Sequence, residues 1–431
     1  MPIIGVTASA ISGNLGPSVQ YYFERIYNGT KNTNASRSVR DSAGNIYTCV
    51  QDLTNGTSGF YATAVFKTDN TGTVQWSKYW TNQGYNFDIG ITSAGVLFIG
   101  TQESQRLCAY IKLNTSTGAQ SGAGVYYSTG ITYRGGVAFD TDGNIWGSGT
   151  LNPNNNYTGP HKVPADLTSS MSVYGLSGTY ADGIVALPNG DVACLGTSPA
   201  NNYYPFLVST TKAGSFNWAK TWGNAYSSAG YTTLATDSSS NIYVGAWIAD
   251  SGQTGAYGFV MKFDSSGTLL WQSKLDNGTS TGQYIYGIDV DSSGNVYAVG
   301  LDNTSPQRAI LWKLNSSGTT QWQRTMNNSN LSAVEVLSTG ELLVTGTWKG
   351  LSSGGSDQTL VIRVPADGSK TGTYTVGGTS IVYAASSYTI SNPGFSISTY
   401  ASGWANTTTL GANSFTPSIQ DYGATQQVVS I

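Results

Sequence analysis

The sequence predicts an all-β chain closed into a seven-bladed β-propeller, and three observations predict it. A turn-then-strand phrase recurs seven times at intervals of 46 to 54 residues. Within the intervals a second phrase recurs, an apolar run ending in a basic residue, then a turn, then a Trp. β-Branched and aromatic residues are plentiful, whereas the helix formers Glu, Lys and Met are scarce. Units of about fifty residues match propeller blades rather than shorter solenoid repeats.

The first phrase begins at Asp41 (DSAGNIYTCV), Thr92 (TSAGVLFIGT), Asp140 (DTDGNIWGSG), Leu187 (LPNGDVACLG), Asp237 (DSSSNIYVGA), Asp291 (DSSGNVYAVG) and Leu337 (LSTGELLVTG). Its anchors are Gly44, Gly95, Gly143, Gly190, Ser240, Gly294 and Gly340. They suit a type I turn closed by a residue of positive φ, which Gly adopts without a Cβ clash. Two residues on stands an aliphatic side chain: Ile46, Leu97, Ile145, Val192, Ile242, Val296 or Leu342. The next residue, on the opposite face, is Tyr47, Phe98, Trp146, Ala193, Tyr243, Tyr297 or Leu343. A strand apolar on both faces is one sandwiched between neighbouring sheets.

The second phrase reads AVFK, AYIK, FVMK, ILWK and LVIR, ending at Lys67, Lys112, Lys262, Lys313 and Arg363. The Trp stands four residues after a turn Gly in the pairs Gly72/Trp76, Gly214/Trp218, Gly267/Trp271 and Gly318/Trp322. Tyr127 and Tyr174 stand in for it in the second and third units. HKVPADLTSS, from His161 to Ser170, replaces the usual turn of the third unit, so irregularity is expected there. Each unit therefore gives a blade of four antiparallel strands, and seven blades fill residues 21–376.

Residues 1–20 form an N-terminal arm. Phe23-Glu24-Arg25-Ile26-Tyr27 matches the fourth-strand phrase Trp322-Gln323-Arg324-Thr325-Met326, yet precedes the first complete unit. It is expected to supply the outer strand of the last blade, a clasp joining the ends of the ring. Its rival is Gly372–Val376, where the last unit's own fourth strand falls. Residues 377–431 are an uncharged β-rich segment: from Thr371 to Gln420 there is no Asp, Glu, Lys or Arg. Such a segment, carrying Tyr383, Tyr388, Phe395, Tyr400 and Trp404, either packs back on its own propeller or docks on a partner subunit.

Phrases of the form DSSGNVYAVG and AILWKLNSSGTTQW resemble the SBBP-type seven-bladed β-propeller repeat proteins, over about residues 20–376. That resemblance implies the fold and a tendency toward binding or structural work, and it brings no catalytic residues with it.

Charged residues make up 10% of the chain and the net charge is -3, which excludes the basic face of a nucleic-acid binder. His161 is the single histidine, so triads and multi-His metal sites cannot form within one chain. It adjoins Pro160 and is expected in an irregular loop, in a surface or structural role. Cys49, Cys108 and Cys194 sit in apolar strand phrases and read as small buried hydrophobes. Asp41, Asp140, Asp237, Asp264 and Asp291 start turns, where their carboxylates cap the backbone. Asp140-Thr141-Asp142 and Asp289-Val290-Asp291 are similar to oxygen-rich calcium loops, but fall on the repeated turn. A paired-carboxylate glycosidase built on Asp88 or Glu103 has no supporting spacing. No catalytic residue, metal or cofactor is expected, and the chain reads as no enzyme.

Sequence variation collects in two loop sets that a propeller places on one face. One lies inside the units (TLNPNNNYTGP, TSPANNYYP, WIADSGQTGAYG, WKGLSSGGSDQ) and one between them (TNQGYN, GITYRGG, GNAYSSAGY, TSTGQYIYG). Rings stack on sugars and amides match hydroxyls, so the candidate binding residues are Asn202, Tyr203, Tyr204, Tyr133, Arg134 and Tyr226. The N-terminus shows no export signal and no apolar stretch long enough to cross a membrane. A neutral, hydroxyl-rich surface on a chain without a leader points to a particle assembled in the cytoplasm and released by lysis. The chain looks like the propeller proteins carried by tailed phages of aquatic bacteria. The expected function is a non-enzymatic, tail- or fibre-associated virion component. Its expected partners are other virion proteins, through residues 377–431, and a host-surface glycan, with no nucleic acid and no membrane insertion. The alternatives are a capsid decoration protein and a bacterial cell-surface carbohydrate-binding propeller.

Overall fold

The computed structural model describes residues 21–27, 33–54, 61–92, 94–103, 107–126, 136–151, 157–177, 180–198, 204–222, 226–250, 256–276, 281–349, 357–376, 378–399, 404–410, 412–413, 420–421 and 425–430. Among these residues every regular element is a strand, and seven antiparallel blades form the ring. Blade 1 starts at Thr33–Arg40 and blade 7 ends its third strand at Gln358–Pro365. One long strand, Val74–Ile91, is the outer strand of blade 1 and then the inner strand of blade 2. Blade 3 is complete despite its unusual turn, with strands Val137–Phe139, Ile145–Leu151, Tyr157–Val163 and Met171–Ser177. In that turn Leu167, at φ 59, takes the place of a glycine and is buried.

The recurring turns form as their residues dictate. Gly44 is at φ 90, and its N–H donates to the Asp41 carbonyl at 3.0 Å. Ser240, the one anchor that is not glycine, holds φ 61, and its hydroxyl accepts the backbone N–H of Asn189 in the neighbouring blade at 3.0 Å.

The structure explains the recurring basic residue and Trp: both staple one blade to the next. Lys67 Nζ and Trp76 Nε1 donate to the same carbonyl, that of Thr115 in blade 2, at 3.0 and 3.1 Å. Lys112 reaches Ala165, Lys313 reaches Ala366 and Arg363 reaches Asn70 in the same way, at 2.9, 3.3 and 2.8 Å. Trp218 and Trp271 donate to Ser265 and Ser316 at 2.9 and 3.0 Å. Each indole lies on the turn glycine ahead, so that a Cβ on Gly118, Gly267, Gly318 or Gly368 would meet Trp76, Trp218, Trp271 or Trp322 at 2.8 Å. Tyr174 does this work over Gly214, as expected of a Trp stand-in. Lys262 departs from the pattern, pairing with Asp237 at 3.5 Å.

The N-terminal clasp is present. Tyr22–Tyr27 pairs antiparallel with the third strand of blade 7 and becomes that blade's fourth strand. Its register is one residue from the expected one. Tyr22, not Phe23, lies opposite Arg363, the position that Trp322 holds opposite Lys313. A slip of one residue exchanges the faces of a strand. Phe23 accordingly enters the core between blades 6 and 7, while Tyr22 enters the core between blades 7 and 1.

Residues beyond the ring make a belt. The tail winds back around the rim against the chain direction: Thr379–Ala385 pairs with blade 6, Thr389–Ser391 with blade 5, Ile397–Thr399 with blade 4, Trp404–Leu410 with blade 3, Ala412–Asn413 with blade 2 and Gln420–Asp421 with blade 1. It ends as Thr425–Ser430 on the clasp itself. Gly372–Val376, the rival for the fourth strand of blade 7, instead pairs with Thr379–Ala385 at the edge of blade 6. The four-stranded blades therefore gain a further strand each. Of the two roles open for the tail, packing on its own propeller is the one the fold displays. The reason is an edge problem: each outer strand presents unpaired N–H and C=O groups, and the belt covers them. Side-chain amides help by acting as pieces of backbone. Gln323 and Gln272 each exchange two hydrogen bonds with the main chain of Tyr388 and Phe395, respectively. Asn327 bridges Ser380 and Val382 likewise.

Candidate functional site

Antiparallel strands give the ring two unlike faces. The tight turns emerge on one face; the variable loops and the connections between blades emerge on the other.

On the turn face the carboxylates serve the fold. Asp41 accepts the Asn45 backbone N–H and amide at 2.8 Å each and the Tyr47 hydroxyl at 2.9 Å. The set recurs at Asp237 with Asn241 and Tyr243, and at Asp291 with Asn295 and Tyr297. Burial pushes the Asp41 carboxyl up, but these hydrogen bonds outweigh it and hold it below the usual range. Asp140 accepts from Asp142 N, Asn144 and Trp146 Nε1, and Asp142 pairs with Lys212 at 2.6 Å. Asp140 and Asp291, the acids of the calcium-like triplets that start turns, are thus turn caps, as their place in the repeat implied.

Of the candidate binding residues, Asn202, Tyr203, Tyr133 and Arg134 lie outside the described residues. Tyr204 opens the third strand of blade 4, opposite Ser198, and packs half-buried on the core shared with blade 5. Tyr226 opens the inner strand of blade 5, opposite Asp250. Both stand at the loop-face ends of their strands, as the repeat required. The loop phrase TSTGQYIYG turns into strand earlier than its polarity suggested. Tyr284 and Tyr286 stack with centroids 6.0 Å apart, and Trp247 of blade 5 meets Tyr284 edge-on at 4.9 Å. All three are partly exposed, a tier of rings at the loop-face junction of blades 5 and 6. Beside it Asp302 is spent on structure, accepting from Gln283, Thr304 N, Arg308 and the belt residue Tyr388 at 2.9–3.3 Å.

The inner strands bring together charges that lie far apart in the sequence. Arg37 of blade 1 grips both oxygens of Asp88 of blade 2 at 3.1 and 3.2 Å, and Asp88 also accepts the Val137 N–H of blade 3. Asp88 is thus committed across three blades rather than paired with a second carboxyl. Arg37 is 42% exposed, toward the ring axis. Asp289 takes the Val336 N–H of the next blade at 2.7 Å. Glu335 stands at the equivalent place in blade 7, and burial pushes its carboxyl up to about 7 against the pull of Arg37. The two acids sit two residues before Asp291 and Leu337, a coincidence visible in the repeat alignment; the Arg37–Asp88 bridge, between residues in different blades, leaves no such trace. This set can hold polar groups along the axis. It contains no nucleophile beside a base.

His161 corrects an expectation. It is not in an irregular loop but in the third strand of blade 3, fully buried, with Nε2 and the Tyr110 hydroxyl 2.5 Å apart. Gly147 makes the room, since a Cβ there would meet both groups. Burial lowers the imidazole to about 3, so it is neutral in the fold. Cys49 and Cys194 are buried as expected.

No protein-family model matches the chain, and no curated protein matches it. Solved structures do. A chain of a mitotic checkpoint complex aligns over 84% of this chain and 98% of its own, at 9% identity and a TM-score of 0.49. The Dos1 propeller aligns over 80% and 95%, at 10% identity and a TM-score of 0.47. The α-L-arabinofuranosidase Arb93A from Fusarium graminearum aligns over 66% and 93%, at 9% identity and a TM-score of 0.44. Likeness of this degree concerns the fold and carries no activity across.

Proposed function

We propose that the chain is a non-enzymatic recognition and structural propeller of a tailed-phage particle, tail- or fibre-associated, that holds other virion proteins and touches a host-surface glycan. The observation that carries this reading is the one-sidedness of the ring. Aromatic and amide-rich sequence variation gathers on the loop face, with the Trp247–Tyr284–Tyr286 tier among it, while the turn face repeats one motif. Aromatic faces with neighbouring amides and hydroxyls suit sugars. A rim closed by clasp and belt, and a surface poor in charge, suit a particle that persists outside a cell.

The test is a glycan array with the purified chain, joined to immunogold imaging of purified particles with an antibody against it. Binding to one glycan class, weakened by Tyr284→Ala or Tyr203→Ala, with label on the tail, supports the proposal. Label on the capsid shell would favour a decoration protein, and label on the bacterial surface a cell-surface propeller. Release of sugar from any array component would overturn the non-enzymatic reading.

A further inference from the structure

The joint between the last and first blades differs from four of the other joints in one buried group. Glu24 of the clasp lies opposite Val361, two residues beyond the stapling position held by Tyr22. Arg324 and Ser273 occupy the same place in blades 6 and 5, opposite Leu311 and Val260. Both are donors. Arg324 Nε gives a hydrogen bond to the carbonyl of turn glycine Gly368 at 2.8 Å, and Ser273 Oγ gives one to Gly318 at 3.0 Å. Lys78 and Lys220 stand at the equivalent places in blades 1 and 4, against Gly118 and Gly267. In the last joint the turn glycine is Gly72, and a Cβ there would lie 3.4 Å from Glu24 Oε2 and 3.2 Å from Val428 of the belt. A carboxylate has no proton to give a carbonyl. Glu24 is fully buried, and neither of its oxygens has a hydrogen-bond partner.

Among the described residues the surroundings offer no compensating cation. Asp69, in the same turn as Gly72, adds a like charge. Arg363, on the adjoining strand, is engaged by Glu341 at 2.6 and 2.7 Å and by the Asn70 carbonyl. Tyr22 flanks the site from the clasp, and the belt strand Thr425–Ser430 contains no titratable side chain. An isolated buried carboxylate is so costly that such a group takes up a proton instead.

We propose that this joint is a proton-operated latch: Glu24, as a neutral acid, donates to the Gly72 carbonyl and so ties clasp, belt end and first blade together, and loss of the proton opens the clasp and the terminal belt strand. Burial first, and Asp69 second, hold the Glu24 carboxyl well above the usual range. The sign follows. Above the ordinary glutamate range, about pH 4.3, the opened joint releases a proton that the closed joint keeps, so closure weakens as pH rises. It is complete below that range and is lost through the raised value. The belt then frees its last strand first, because the clasp is the strand it pairs with.

Hydrogen exchange of the full chain, read by mass spectrometry over residues 22–27 and 425–430 and corrected for the intrinsic rate, tests the latch. Between about pH 5 and about pH 8.5 the protection of both segments is expected to fall by about tenfold or more, while Ile242–Asp250 in blade 5 keeps its own. Glu24→Gln supplies a permanent donor and is expected to keep the joint protected at both pH values. Asp69→Asn removes the like charge, which lowers the Glu24 carboxyl, so the loss is expected to be smaller and to finish at lower pH, and Glu335→Gln, at the inner strands, to leave the seam unchanged. Protection that is constant with pH in the natural chain overturns the latch, as does a loss that persists in Glu24→Gln or does not move in Asp69→Asn. Should Glu24→Gln fail to fold, the natural chain and Asp69→Asn decide the matter.

Discussion

Phe23→Ala probes both the clasp and its register. The ring is fully buried between blades 6 and 7, with the Tyr374 and Tyr383 centroids 5.0 and 6.2 Å away. Truncating a buried Phe costs about 3–5 kcal/mol, the transfer of the ring plus the cavity it leaves. With an unfolding entropy of about 2.1 cal/mol/K per residue, a chain of 431 residues loses roughly 3–6 °C in Tm. Differential scanning calorimetry reads that loss directly. A double-mutant cycle with Tyr374→Ala then reads the register, because the observed pairing predicts a coupling of about 0.5–1.5 kcal/mol between the two rings. In the register expected from sequence, Phe23 would face blade 1 and couple with Phe66 instead. A Tm within about 1 °C of the natural chain would show that the clasp contributes little, and no coupling to Tyr374 would show that its register is misassigned.

Two further outcomes are expected. Gly318→Ala and Gly143→Ala impose a similar backbone penalty, φ being 80 and 78, but a Cβ at 318 meets Trp271 at 2.8 Å whereas one at 143 meets nothing within 4 Å. Urea titration should therefore show Gly143→Ala losing about 1 kcal/mol and Gly318→Ala clearly more, and equal midpoints would remove the indole–glycine staple from the account. His161 is held to about 3 by burial, so as pH falls below about 6.5 the unfolded chain takes up a proton that the fold refuses, and stability drops. The Tm difference between about pH 7 and about pH 5 should shrink in His161→Gln, and an unchanged difference would mean the imidazole is not neutral in the fold.

What the sequence determined by itself is the periodic part of the protein. Turn chemistry and strand polarity are local, so the Asp-x-x-Gly-Asn turns, the sandwiched second strands, the seven blades and the existence of the clasp could all be read from residue order. Local patterns also singled out the stapling Lys and Trp residues, although not what they touch. The remaining features depend on neighbours distant in the chain. The clasp register departs from the expected one because FERIY resembles WQRTM, and only pairing with Arg363 shows that Tyr22 holds the Trp position. His161 reads as a loop residue because it adjoins Pro160; Tyr110 and the space left by Gly147 make it a buried strand residue. The belt repeats no phrase, since each of its short strands answers the edge of a different blade. Its absence of charge was legible, but its path was not. The same holds for the axial bridge of Arg37 and Asp88 and for Glu24 against Gly72: two residues far apart in sequence become one electrostatic problem only when the ring closes.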